Sequence, residues 1–236
     1  MTFEEIWRAV PGVLSEMTTE FVRKANEHFI KDPTSQVTAC SLLALRELSL
    51  LRGAEQLLKP DTFDSYDVLM RAFMETHNLL STFRFDDEQK RVHIGKWFAN
   101  KGKDTWQANN KEIETFLTGA GAYDLQLARQ WGIFSGLSHP TAKAAHNSTS
   151  ILARTTLPEH RREDLSQAFR EKRADYCSSL GGFFITATYD LEGWIDLGFD
   201  ISRMPLAETF RMEAPAVVMP MLGQLNEGQK KVNPRR

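Results

Sequence analysis

The stretch SYDVLMRAFMETHNLLSTFRF (65–85) decides the fold class. It has no alternating run of the kind a strand needs, and its apolar residues recur at helical spacing. Between Val68 and Phe83 the only formal charges are Arg71 and Glu75. A helix that is apolar on nearly every side belongs in a core, and this one is expected there over about 65–85. Two charges inside it must then be paired or put to use, because an isolated buried charge is costly.

Outward from this helix the chain reads as helical almost throughout. Toward the N-terminus, Thr2-Phe3-Glu4-Glu5 fits a capping box, and Pro11 is expected to interrupt the short helix it opens. A second helix is expected over about 12–31, stopping at Asp32-Pro33. Ser35 is the expected N-cap of a third over about 36–58, with Leu42, Leu45, Leu48 and Leu51 near helical spacing. Toward the C-terminus, helices are expected over about 104–118 and 123–139, broken at Gly119-Ala120-Gly121 and Pro140. A short helix to about 153 follows, and after Pro158 a long helical pattern to about 200, with Gly181-Gly182 as a bend or close-packing point. A final short helix is expected near 205–213, before a loosely held tail holding Pro215, Pro220 and Pro234. The fold class is therefore all-α: a single multi-helix domain of about seven to nine helices with a long C-terminal helix. It is expected to span 1–225, with a flexible basic tail over 226–236.

Bulk properties narrow the function. The chain has 236 residues, 42% hydrophobic and 25% charged, enough for one well-buried core. Its formal net charge is −2, so no global basic field draws it to nucleic acid. The last seven residues, KKVNPRR, carry +4; −2 less +4 leaves the remainder at −6. Cys40 and Cys177 lie in apolar or small surroundings and read as reduced, core-packed thiols of a cytoplasmic protein. No apolar run is long enough to span a bilayer. The six histidines show no H-x-x-x-H or H-E-x-x-H spacing, and there is no phosphate-binding glycine fingerprint, so neither a metal nor a cofactor is expected.

Two constellations carry candidate chemistry. Arg71 and Glu75 are i,i+4 neighbours on one helix face. In SGLSHPT (135–141), Ser135 and His139 are also i,i+4, with Ser138 between them. His139 falls at a helix C-terminus, where the dipole favours imidazolium, and its expected partner is Glu75. The candidate site is thus Arg71, Glu75, Ser135 and His139, with His77 as the weaker alternative. A serine hydrolase is disfavoured because no strand–Ser–helix elbow is present. The stretch from Lys90 to Trp106 mixes bases with aromatics but is diluted by acids, and reads as a solvated face whose tryptophans point into the core.

Three blocks carry a family likeness: ACSLLALRELSLLRGAEQLL, LMRAFMETHNLL and WGIFSGLSHPT. The run from about 39 to 155 resembles a bacterial all-helical domain family of unknown function, with an R-x-x-x-E helix followed by an S-x-x-x-H-P helix. By position the resemblance marks Arg71, Glu75, Ser135 and His139, and implies that they meet. Arg71 to His77 also resembles the R-x4–6-H signature of HEPN domains, many of which are metal-independent ribonucleases. In that family arginine and histidine activate a ribose hydroxyl and stabilise phosphate at a dimer cleft. Here, six positions at about 100° each set the two side chains roughly 120° apart on a regular helix. His77, beside Phe73 and Leu80, reads as a satisfied core histidine instead.

The expectation is a cytoplasmic interaction or regulatory module with a buried Arg–Glu–His cluster. The alternative is a HEPN-like endoribonuclease acting as a toxin or defence effector. The partners admitted are a homodimer and an RNA or protein partner, with no membrane.

Overall fold

A computed structural model describes residues 2–57, 66–84, 94–95, 97–99, 176–177, 179–188, 194–195 and 197–232. These residues are helical with no strand among them, so the chain is all-α over its described part. The helices are α1 (Phe3–Lys31), α2 (Gln36–Leu57), α3 (Tyr66–Arg84) and α4 (Pro205–Val232), with a 3-10 turn at Ile201–Arg203 and a helical segment at 179–188. The helices expected over 104–118, 123–139 and 140–153 lie outside the described residues, as does most of the one expected from 158 to 200.

The capping box forms as the sequence requires. Glu5 N–H donates to Thr2 Oγ1 at 3.3 Å and Thr2 N–H donates to Glu5 Oε2 at 2.6 Å. Pro11 does not interrupt the helix that follows; α1 is continuous through it. Proline inside a helix removes one ladder bond and costs about 3 kcal/mol. Here apolar burial lies on both sides of it. Ile6 and Val10 precede Pro11, Val13, Met17 and Phe21 follow, and all are essentially inaccessible. Each such side chain contributes about 1.5–3 kcal/mol, so one unbroken helix outweighs a break. The same holds in α4, where Pro215 and Pro220 sit inside a helix that was expected to stop near 213. Ala207, Phe210, Ala214 and Val218 bury its inner face completely and carry it past Pro215.

The turn between α1 and α2 is built from side-chain caps. Asp32 Oδ1 accepts from Thr34 N–H at 3.0 Å, and Ser35 Oγ accepts from Thr38 N–H at 3.1 Å, as expected of an N-cap serine. On α2 the buried stripe is Cys40, Leu43, Ala44, Glu47, Leu48, Leu51 and Ala54. Of the four leucines singled out by spacing, Leu48 and Leu51 lie on it, Leu45 is half-buried and Leu42 is exposed. Helices α2 and α3 form the most extensive pair and run antiparallel. Gln36 at the start of α2 donates to the Phe83 carbonyl at the end of α3 at 2.6 Å, and Gly53 near the end of α2 lies against Leu69 near the start of α3. Phe73 then meets Phe183 edge-on at 5.1 Å, and Phe184 meets Phe210, which closes the core across 179–188 and α4.

Two carboxylates on α1 hold the distant C-terminal region in place. Glu16 Oε2 accepts from the Leu206 and Ala207 N–H groups at 2.7 and 3.1 Å, capping α4 from 190 residues away. Glu20, buried, accepts from Arg23 Nε at 2.7 Å and from Asp200 N–H at 3.3 Å. Burial pushes the Glu20 carboxyl up, but the Arg23 and Asp200 hydrogen bonds outweigh it and hold the group below the ordinary carboxylate range.

Glu16→Ala should therefore cost about 1–2 kcal/mol in urea unfolding, the value of a lost cap. For Glu20 the folded value is depressed, so its contribution is present at neutral pH and is lost as pH falls through the folded value. Glu20→Gln should be less stable than the parent at neutral pH, with the gap closing in acid. A gap that stays constant down to acid pH would contradict this role.

Candidate functional site

The buried polar centre of the described residues lies between α2 and α3. Glu47 follows Leu43 and Ala44 by one turn and precedes Leu51 by another, which sets it on the apolar stripe of α2. His77 takes the equivalent place on α3, one turn after Phe73 and one turn before Ser81. Both side chains are buried. His77 Nδ1 donates to Glu47 Oε1 at 2.9 Å, and Nε2 lies 3.4 Å from Ser81 Oγ. The Phe73 ring stacks nearly parallel to the imidazole, 11° between planes and 5.9 Å between centroids. His77 is thus a satisfied core histidine, as its neighbours implied.

Hydroxyl, imidazole and carboxylate stand here in the order nucleophile, base, orienter. Ser81 itself supplies no oxyanion donor. Ser81 is inside a regular helix, so its own N–H is committed to the backbone ladder and cannot receive an oxyanion. What the trio does is hold α2 to α3 at a fixed register.

Arg71 and Glu75 do pair, Arg71 Nε donating to Glu75 Oε1 at 2.9 Å. The pair is not buried as expected, with side chains 27% and 45% exposed. α3 is buried around most of its circumference, with Tyr66, Asp67, Met70, Phe73, Met74, Thr76, His77, Leu80, Thr82 and Phe83 inside, and Arg71 and Glu75 fall on or beside the narrow strip that it leaves at the surface with Val68, which is 49% exposed. The helix is regular from Tyr66 to Arg84, so Arg71 and His77 keep the wide angular separation of six residues. Ser135 and His139 lie outside the described residues. Glu47 was missed in the sequence, although its spacing from Leu43, Ala44 and Leu51 places it on an apolar face.

Other candidates are spoken for. Cys40 is buried and its thiol is pushed up to about 12 by burial, which removes thiolate chemistry at neutral pH. Cys177 is a half-buried thiol outside any disulfide. Trp97 packs edge-on against Phe83 at 5.8 Å, as expected of it, while Trp106 lies outside the described residues. Ser15, Glu16, Thr19, Glu20, Arg23 and Arg203 line a groove of about 410 Å³. Each arginine there already faces a carboxylate, Arg23 that of Glu20 and Arg203 that of Asp200. Among the described residues no group of three or more His, Cys, Asp or Glu could hold a metal ion, and no helix is long and apolar enough to cross a membrane.

The chain matches no protein-family model, no curated protein and no solved structure. The functional reading therefore stands on its own geometry.

Removing one member of the buried pair takes away the polar contact that joins α2 to α3. Glu47→Ala should cost about 3–5 kcal/mol, whereas Glu75→Ala, at the rim, should cost no more than about 0.5 kcal/mol. Thermal melting of the two variants side by side checks the order, and a larger loss at Glu75 would reverse the assignment.

Proposed function

We propose that this protein is a cytoplasmic interaction or regulatory module, built as a single all-α domain of about seven to nine helices, whose internal polar groups serve structure. One observation carries the reading. The histidine on α3 is buried, with its two ring nitrogens at Glu47 and Ser81, which supports a role in holding helices together. The likeness of LMRAFMETHNLL and WGIFSGLSHPT to a bacterial helical domain family of unknown function is compatible with it.

The competing reading, a HEPN-like endoribonuclease, needs Arg71 to act with His77, or with Glu75 and His139. The half-exposed Arg71–Glu75 pair is accessible enough to serve such a site. The His77 version suffers from the wide separation of the two residues and from the engagement of the imidazole in the core.

Inducible expression in a bacterium, with RNA integrity and growth followed over time, separates the two. The module reading expects intact RNA and normal growth while the protein accumulates in folded form. RNA cleavage that Arg71→Ala abolishes without loss of helicity would overturn it.

A further inference from the structure

The contact between Glu47 and His77 accounts for the register of α2 on α3, but it leaves the hydroxyl beside it unexplained. Ser81 and His77 stand on the same helix, so their contact joins no two elements. A serine or threonine inside a helix ordinarily bonds back to the carbonyl one turn earlier. The threonines around Ser81 do so: Thr76 donates to the Ala72 carbonyl and Thr82 to the Asn78 carbonyl, both at 2.7 Å. Ser81 Oγ turns instead to His77 Nε2, 3.4 Å away. Ser81 is half-buried, at the edge of the core, while His77 and Glu47 behind it are buried.

We propose that Ser81 is a nucleophile that accepts an acyl group from a thioester or a similarly activated ester, with His77 as its general base. The chemistry follows from the proton positions. Glu47 Oε1 takes the Nδ1–H of His77 at 2.9 Å, so Nε2 carries the lone pair and faces the hydroxyl. As Oγ attacks the acyl carbon, its proton passes to Nε2, and the Glu47 carboxylate stabilises the imidazolium that forms. The Oγ–carbon bond forms, the carbon–sulfur bond of the donor breaks, and the imidazolium gives its proton to the departing thiolate. A separation of 3.4 Å is loose for this transfer, and such contacts tighten once a substrate is bound.

The class of donor follows from what Ser81 lacks. Its own N–H belongs to the helix ladder, so the nucleophile brings no oxyanion donor with it. The leaving group must then make the reaction easy. A thiolate, from a thiol of pKa about 8.5, departs readily. The serine alkoxide of the finished ester is a far poorer leaving group, so the acyl group stays on Ser81. The site is thus one of covalent modification rather than of turnover. The inference goes beyond the functional reading above and leaves the structural role of the Glu47–His77 pair in place.

Incubation of the full chain with p-nitrophenyl acetate, followed by peptide mass mapping, tests it. Ser81 should be acetylated faster than Ser15 and Ser49, exposed serines on α1 and α2, and the preference should vanish in urea. His77→Gln should slow acetylation of Ser81 about 10²-fold, the lower end of what a positioned base contributes. Glu47 acts through the imidazole as a positioning residue. Glu47→Gln should lose rate that Glu47→Asp partly keeps, with helicity checked for each. If the variants fail to fold, the comparison of native and urea-treated parent decides. A folded parent acetylated on lysines but not at Ser81, or one whose Ser81 reacts no faster than Ser15 and Ser49, would overturn the proposal. A folded His77→Gln variant that keeps the parent rate would do the same.

Discussion

The buried contact between Glu47 and His77 is the constraint on which the arrangement of the first three helices depends. It is a buried ionisable pair bridged at 2.9 Å between α2 and α3, with the Ser81 hydroxyl at the other ring nitrogen. Apolar packing alone would tolerate several registers between two helices whose facing side chains are similar in size. A carboxylate and an imidazole that are both removed from water tolerate only the one in which they meet. With α2 and α3 fixed, α1 packs on α2 through the turn at Asp32–Ser35, and α4 packs on α1 with Glu16 and Glu20 holding its start. The order of dependence runs from one buried pair to a bundle.

Around that pair the aromatic core supplies the bulk of the burial. Phe21, Trp194 and Phe199 meet edge-on with centroids near 5 Å, and Arg84 lies 5.7 Å from the Trp194 ring centroid. On the other side Tyr66 donates to the Tyr176 carbonyl at 3.0 Å and Tyr176 donates to Asp67 at 3.2 Å, so these phenols enter the core with their hydroxyls satisfied. Burial holds the Tyr66 hydroxyl well above its ordinary value, which keeps it a neutral donor. Tyr66, Tyr176 and Asp67 thus close on one another inside the core.

Much of this was legible in the sequence where local chemistry decides structure. Thr2 and Glu5 announce the start of α1, Ser35 that of α2, and the limits of α3 agree within one residue. The prolines misled because a local rule was overridden by burial on both sides of Pro11 and before Pro215. The polar site misled for a related reason. Arg71 and Glu75 are conspicuous in a sequence because their neighbours are apolar, yet burial depends on which face meets α2. Glu47 is inconspicuous beside Arg46, and its partner is 30 residues away. Periodicity could have placed it on the core stripe, but only the packing of α2 on α3 names His77 as what it faces.

The central claim is that Glu47 and His77 stabilise the fold as a pair. A double-mutant cycle, Glu47→Leu and His77→Leu singly and together, read by urea unfolding, measures this directly. The account predicts a coupling of about 1.5–3 kcal/mol, with the double variant recovering much of what either single variant loses. Losses that add to within about 0.5 kcal/mol would show that the two residues act independently, and would contradict it.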